Sequence, residues 1–189
     1  MGKIILGSSS PRRSDILKKL NLNFEIIPSS YVEPHDQTVF SYDFVENLAY
    51  NKALNVAKNC KEKALVIGAD TIVVIDNTIL GKPKNTPEAF SMLKKLSGKT
   101  HFVVTGVAVI NSANLKYKIK STTTYVTFEN LTEEQINFYI DNYKPFDKAG
   151  AYGIQELPED YVKTVKGPLD NVIGLPSQTL LELLNENYD

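Results

Sequence analysis

The sequence of residues 4–17, IILGSSSPRRSDIL, predicts a strand that leads directly into a helix. Its first three residues form an apolar run short enough for a buried strand, which ends at Gly7. Ser10 is a suitable N-cap and Pro11 a suitable first helical residue, and the apolar positions that follow have helical spacing. A strand followed at once by a helix is typical of an α/β fold.

The same stretch predicts an anion site. Arg12 and Arg13 fall in the first turn of the helix, where the positive end of the helix dipole disfavours cations. Free backbone N–H groups, the hydroxyl of Ser8 and two guanidiniums together would bind a polyanion, most simply phosphate. The alternative is a capped surface helix with two solvated arginines. In either case we expect neither arginine to contribute to the packed interior.

Composition limits the class of protein. The 189 residues suit one large domain or two closely packed lobes, and since no repeat or linker is evident we predict a single domain over residues 1–189. A net charge of -1 argues against bulk attraction to nucleic acid or to an anionic membrane. The single cysteine, Cys60, excludes an internal disulfide.

The apolar run at the start is too short for a signal peptide, and no segment approaches the roughly 20 apolar residues that span a bilayer. A cytoplasmic protein is therefore the simplest interpretation.

The rest of the chain alternates strand and helix patterns and then becomes richer in strands. Strands are predicted at residues 24–27, 64–75, 79–80 and 161–165, and residues 101–110 and 117–128 form a long hairpin. Helices are predicted to begin near Ser41, at Thr86 as N-cap, at the capping box Thr132–Gln135 and at Pro176. We therefore predict an α/β fold in which helices pack on a mixed sheet, with a cleft between two lobes.

Asp70 lies inside the most apolar predicted strand. A carboxylate there costs several kcal/mol unless it is paired, hydrogen-bonded or bound to a metal, so a purely structural Asp is the alternative to a catalytic one. Gly68 would permit close approach of another chain or a ligand, Thr71 adds a hydroxyl, and Lys82 in a Gly-Lys-Pro loop adds an ammonium. Together these residues indicate a metal-assisted phosphoryl site.

Two further residues gain meaning only beside Asp70. Glu33 lies in a polar stretch with His35 and Asp36, where a lone carboxylate is more often solvated. If Glu33 is a second acid near Asp70, the two carboxylates would complete a Mg²⁺ site. Lys52 lies on a predicted helix, where most lysines are solvated. His35 and His101 share no metal-binding spacing, and neither a Walker A loop nor a Gly-x-Gly-x-x-Gly motif is present.

Five motifs in order resemble those of the Maf family, the nucleotide pyrophosphatases also described as septum-formation proteins. They are Ser8-Ser9-Ser10-Pro11-Arg12-Arg13, Gly68-Ala69-Asp70-Thr71, Gly81-Lys82-Pro83, the run from Lys148 to Gln155, and Gly174-Leu175-Pro176. The resemblance covers nearly the whole chain. It implies an elongated, twisted mixed sheet flanked by helices, with two lobes and a central cleft (Maf/ITPase-like), and often a homodimer.

The resemblance also implies an activity, the hydrolysis of a nucleoside triphosphate to the monophosphate and pyrophosphate with a divalent cation such as Mg²⁺, Mn²⁺ or Co²⁺. Within the family, Arg12, Thr71 and Gln155 match the dTTP/UTP branch, and the sequence leaves open whether normal or modified pyrimidine triphosphates are the physiological targets. The 7-methyl-GTP branch has a tryptophan after the proline, and this chain has none. One departure concerns the loop after Gln155, where Glu156-Leu157-Pro158-Glu159 replaces a glycine-rich stretch.

Residue roles follow from the same resemblance. The triphosphate would be held by Ser8, Arg12, Arg13, Lys52 and Lys82. The metal ligands would be Glu33 and Asp70, and Asp70 would also orient or deprotonate the attacking water. Thr71 and Gln155 can each donate and accept a hydrogen bond, which suits the edge of thymine or uracil.

The alternative function is a nucleotide-binding regulator of cell division or septum formation without essential catalysis. DNA is a poor partner for either function, because the charge is near neutral and no basic stripe is present.

Overall fold

A computed structural model describes residues 2–34 and 38–188 and arranges them around a seven-stranded mixed sheet. His35 and Asp36 lie outside the described residues. The strands are β1 (Lys3–Leu6), β2 (Phe24–Ile26), β3 (Ala64–Ile75), β4 (Thr78–Leu80), β5 (Thr100–Asn111), β6 (Tyr117–Phe128) and β7 (Val162–Lys166). Their order is β2-β1-β3-β5-β6-β7, with β4 paired to β3. β1 runs parallel to β2 and β3, and the other pairs are antiparallel.

Helices flank this sheet, as predicted. They are α1 (Pro11–Lys19), α2 (Tyr42–Asn59), α3 (Thr86–Leu96), α4 (Glu133–Tyr143), α5 (Leu169–Ile173) and α6 (Ser177–Leu184), with short 3₁₀ turns at Ala149–Ala151 and Glu159–Tyr161. The capping box at Thr132 is confirmed. Within the described part of the chain, no helix is long and apolar enough to cross a membrane.

Three details differ from the sequence prediction. The N-cap of α3 is Asn85 and not Thr86, because the Asn85 carboxamide oxygen accepts from the backbone N–H of Glu88 at 2.9 Å. α5 was not predicted, since five residues are too few to show helical periodicity. The last strand begins at Val162, after a 3₁₀ turn that includes Tyr161.

Two glycines allow α2 to lie almost in contact with the sheet backbone. An ideal Cβ at Gly68 would lie 2.2 Å from the carbonyl oxygen of Ala49, and one at Gly106 would lie 2.7 Å from that of Val45. Any side chain at either position would push α2 away from β3 and β5. The close approach predicted at Gly68 is therefore confirmed, and the approaching chain is α2.

A gap in strand pairing along β3 creates the space for a site. On one side, β3 pairs with β1 from Ala64 to Ile67 and with β4 from Val73 to Ile75. Between these stretches, residues 68–72 have no strand partner on that side among the described residues. Because side chains alternate along a strand, the side chains of Asp70 and Thr71, both within this gap, point to opposite faces of the sheet.

Candidate active site

A cavity of about 1230 Å³ opens along the unpaired edge of β3. It is lined by every site residue predicted from the sequence: Ser8, Arg12, Arg13, Glu33, Lys52, Asp70, Thr71, Lys82 and Gln155. Their elements converge from distant parts of the chain, namely the β1–α1 loop and first turn of α1, the loop before α2, the middle of α2, the centre of β3, the loop after β4 and the loop after residues 149–151.

Arg13 is held by three hydrogen bonds. Its Nε donates to the carbonyl oxygen of Gly174 at 2.8 Å, Nη1 to Ser8 Oγ at 3.1 Å and Nη2 to Thr71 Oγ1 at 3.2 Å. Burial lowers the pKa of Arg13 from its ordinary value, although the charge of Asp70 opposes this, and a guanidinium remains protonated. Arg13 is half-buried and lies outside the apolar core, but its three hydrogen bonds tie the first turn of α1 to Gly174 and to β3.

Arg12 is freer. Its Nη1 donates to Asp147 Oδ2 at 3.3 Å, and a third of its side chain is exposed. Two adjacent arginines at one helix N-terminus thus have different tasks. Arg13 is fixed in place by the fold, whereas Arg12 can leave its carboxylate partner for an anion.

The hydroxyl of Thr71 lines the cavity but is already hydrogen-bonded to other protein groups. Thr105 Oγ1 donates to the carbonyl oxygen of Asn171 at 2.9 Å, so its lone pairs are left to accept from Thr71 Oγ1, also at 2.9 Å. Thr71 in turn accepts from Arg13. The chain Arg13, Thr71, Thr105, Asn171 uses the single hydroxyl proton of Thr71 and orients the guanidinium.

Lys52 lies between two carboxylates. Its Nζ contacts Glu33 Oε1 at 2.7 Å and also donates to Asp70 Oδ1. Only 14% of the Lys52 side chain and 11% of the Asp70 side chain are exposed. Since the close packing of α2 at Gly68 brings Lys52 next to Asp70, two residues further along β3, this contact depends on that glycine.

The two carboxylates titrate differently. Burial raises the pKa of Asp70, and the charges of Lys52 and Arg13 only partly offset this effect. Burial would also raise the pKa of Glu33, but its hydrogen bond to Lys52 and the nearby cations outweigh burial, and the pKa of Glu33 falls. The site therefore holds one carboxylate with increased proton affinity beside one that stays ionised.

The donor set fits a divalent ion of the magnesium class. Glu33 and Asp70 already converge on one cation, the Lys52 ammonium, and Mg²⁺ typically takes one or two protein carboxylates plus water and substrate oxygens. Among residues 2–34 and 38–188, no group of three or more His, Cys, Asp or Glu side chains is placed to hold a metal. A substrate would have to supply the remaining oxygens.

The cavity lining also contains charged residues to which the sequence assigned no role. Lys148 is only 8% exposed and contacts Asp147 Oδ1 at 2.8 Å and Glu156 Oε2 at 3.1 Å. Gln155 is exposed on the same loop. The motif from Lys148 to Gln155 includes this lysine, but the sequence assigned it no role, because lysine is normally a surface residue and its burial arises from contacts such as that with Glu156 in the following turn.

His101, to which the sequence assigned no role, is buried in β5. Its Nε2 is 2.7 Å from the hydroxyl of Tyr152, and burial lowers the pKa of His101 to about 4. The imidazole is therefore neutral near pH 7 and supports Tyr152, a cavity-lining residue, without adding charge.

The chain is similar over nearly its whole length to known proteins. A family model described as Maf-like protein matches residues 3–187. A protein of Thermoanaerobacter sp. (strain X514) named dTTP/UTP pyrophosphatase is 44% identical over 187 residues, which are 99% of this chain and 97% of that protein. A protein of the same name from Ruminiclostridium cellulolyticum is 46% identical over 190 residues, covering 98% of each chain.

Among solved structures, a HAM1 protein from Coxiella burnetii superposes with a TM-score of 0.51 at 19% identity, over 97% of this chain and 96% of that one. At this identity the likeness concerns the fold alone.

Proposed function

Because this chain belongs to the Maf-like protein family, we propose that it hydrolyses dTTP and UTP to the nucleoside monophosphate and pyrophosphate. The observation that carries the proposal is the convergence of Arg13, Lys52 and the buried Asp70 on the unpaired edge of β3. Relatives named dTTP/UTP pyrophosphatase at 44–46% identity over nearly the full chain support the substrate class.

The triphosphate would lie against the N-terminus of α1. Free backbone N–H groups and the guanidiniums of Arg12 and Arg13 are donors suited to phosphate oxygens. Arg13 uses one N–H of each terminal nitrogen on Ser8 and Thr71, so it retains one N–H on each for a ligand. Lys82, exposed at the cavity wall, and Lys52 add charge that offsets the negative charge on the phosphates during hydrolysis.

Asp70 would act as the general base. It would take a proton from water as the water oxygen bonds to phosphorus, while the α–β anhydride bond breaks and pyrophosphate leaves. A carboxylate whose pKa is raised by burial holds that proton better than an exposed one, which favours base catalysis near neutral pH. Lys52 keeps the carboxylate in place.

A divalent cation would be held by Glu33 and Asp70 together with substrate oxygens. Such an ion withdraws electron density from phosphate oxygens and offsets the charge of the leaving pyrophosphate.

Gln155 would recognise the base. It is exposed in the cavity wall, and its carboxamide both donates and accepts, which matches the carbonyl and N3–H edge of thymine or uracil. The hydroxyl of Thr71 is hydrogen-bonded to Arg13 and Thr105. Thr71 would therefore contribute to substrate selection indirectly, by holding Arg13 in position.

The test is pyrophosphate release by pure protein with Mg²⁺ and dTTP, UTP, CTP, dATP or dGTP. We expect the highest kcat/KM for dTTP and UTP. Equal rates on all five would retain pyrophosphatase activity and refute the pyrimidine assignment. Nucleotide binding without turnover would favour the regulator of cell division instead.

A cytoplasmic location and a homodimer, the latter implied by the family resemblance, are further predictions. Sedimentation of the pure protein tests the dimer.

A further inference from the structure

The loop that carries Gln155 is fixed by a small number of contacts around Lys148. The backbone N–H of Glu156 donates to the carbonyl oxygen of Gly153 at 2.9 Å, forming a tight turn with Gln155 inside it. Gly153 N–H donates to the hydroxyl of Tyr139 at 3.0 Å. These bonds hold the two ends of the turn, and the orientation of its middle depends on the side chains beneath it.

Lys148 passes directly under this turn. An ideal Cβ at Gly153 would lie 2.8 Å from Lys148 Cε and 3.2 Å from Glu156 Oε2, so the lysine stem and the glutamate carboxylate fill the space that a side chain would need. The Lys148 ammonium meets Glu156 Oε2 at 3.1 Å, and that oxygen is shielded from solvent. Removing the Glu156 charge would leave the enclosed Lys148 ammonium with a partner lost, which is the costly case for ion pairs, whereas Glu156, with 38% of its side chain exposed, would keep contact with solvent if Lys148 were removed.

The charged contacts of Lys148 are with its own loop. Its side chain is only 8% exposed, and its ammonium is shared between Asp147 and Glu156. The sequence after Gln155, where Glu156 stands in place of a glycine-rich stretch, thus has a structural explanation. A glycine-rich loop would lack the anchor that Glu156 supplies.

We propose that Lys148 and Glu156 are positioning residues whose ion pair fixes Gln155 for base selection. The proposal rests on the proposed function, because it requires Gln155 to recognise the base. Asp147 is the matched contrast: it also contacts Lys148 and bonds to Arg12, but it lies before the turn and holds neither end of it.

The experiment measures kcat/KM for dTTP and for dGTP in Glu156→Gln, Lys148→Met and the double variant. We expect the dTTP preference to fall about tenfold in each single variant, through loss of dTTP turnover with dGTP turnover unchanged, since a misplaced recognition group affects only the base it recognises. The double variant should lose no more than either single variant, because both remove the same pair.

Two controls separate this effect from general loss of charge. Asp147→Asn should change both substrates alike and leave the preference intact. Glu133→Gln, which removes the exposed 3.2 Å pair with Lys94, should alter neither rate. If Lys148→Met does not fold, the isosteric Glu156→Gln decides alone.

A wild-type preference that survives unchanged in Glu156→Gln would overturn this proposal and leave the proposed function standing. The absence of any wild-type preference for dTTP would overturn the pyrimidine assignment and this proposal with it.

Discussion

Replacing Asp70 by Asn should separate catalysis from folding. The change keeps the shape of the side chain and removes its charge. An amide cannot take a proton from water and is a weak ligand for a divalent ion, so turnover should fall by about 10²–10⁴-fold, the range for loss of a general base. The measurement is pyrophosphate release with dTTP and Mg²⁺.

Stability should respond little to the same substitution. Burial raises the pKa of Asp70, which means that the fold favours the uncharged form, and Asn resembles that form. The carboxamide oxygen can still accept from Lys52, and Glu33 at 2.7 Å continues to balance the ammonium. We expect a change in unfolding free energy within about 1 kcal/mol, equivalent to roughly 2–4 °C in Tm for a chain of this size.

The control is Asp141→Asn, at an exposed carboxylate 3.8 Å from Lys144, which should change neither Tm nor turnover. A structural Asp70 would behave in the opposite way, with a large fall in Tm and turnover close to wild type. A folded Asp70→Asn protein with near-wild-type turnover would refute the reasoning about this site.

Four further substitutions test the remaining machinery. Arg12→Ala and Arg13→Ala should each cost about 1.5–3 kcal/mol in transition-state binding, or about one to two decades in kcat/KM. Only Arg13→Ala should also lower Tm, because only Arg13 bonds to Gly174, Ser8 and Thr71. Equal Tm values for the two variants would contradict this difference. The acid limb of the kcat/KM–pH profile should lie above the ordinary pKa range of an aspartate, because burial raises the pKa of Asp70. In Lys52→Met the limb should move to higher pH, because removal of the cation raises the pKa of Asp70 further. A limb that stays in place would show that another group titrates there. Gly68→Ala should lower Tm by displacing α2 and should reduce turnover by moving Lys52. The control is Gly2→Ala, which should do neither, because a Cβ there would meet no packed neighbour within 4 Å. A stable, active Gly68→Ala protein would show that the close packing is dispensable.

Local sequence determined the elements and much of the site. The strand, serine turn and proline of residues 4–17 predicted β1, the loop and α1, because each signal acts within a few residues. Asp70 stood out by itself, since a carboxylate in a β-branched run needs a partner wherever the strand is placed. Motif resemblance then connected Arg12, Glu33, Lys82 and Gln155 to one site before any contact was visible.

The tertiary structure decided what each of these residues touches. The gap between β1 and β4 along β3 depends on where two separate strands end, which no local pattern encodes. The anchoring of Arg13 depends on Gly174, far along the chain, and the burial of Lys148 depends on its contact with Glu156 in the following turn. Burial and partnership arise from long-range contacts, so the sequence by itself specified which chemical groups were present, and only packing determined which of them hold the others in place.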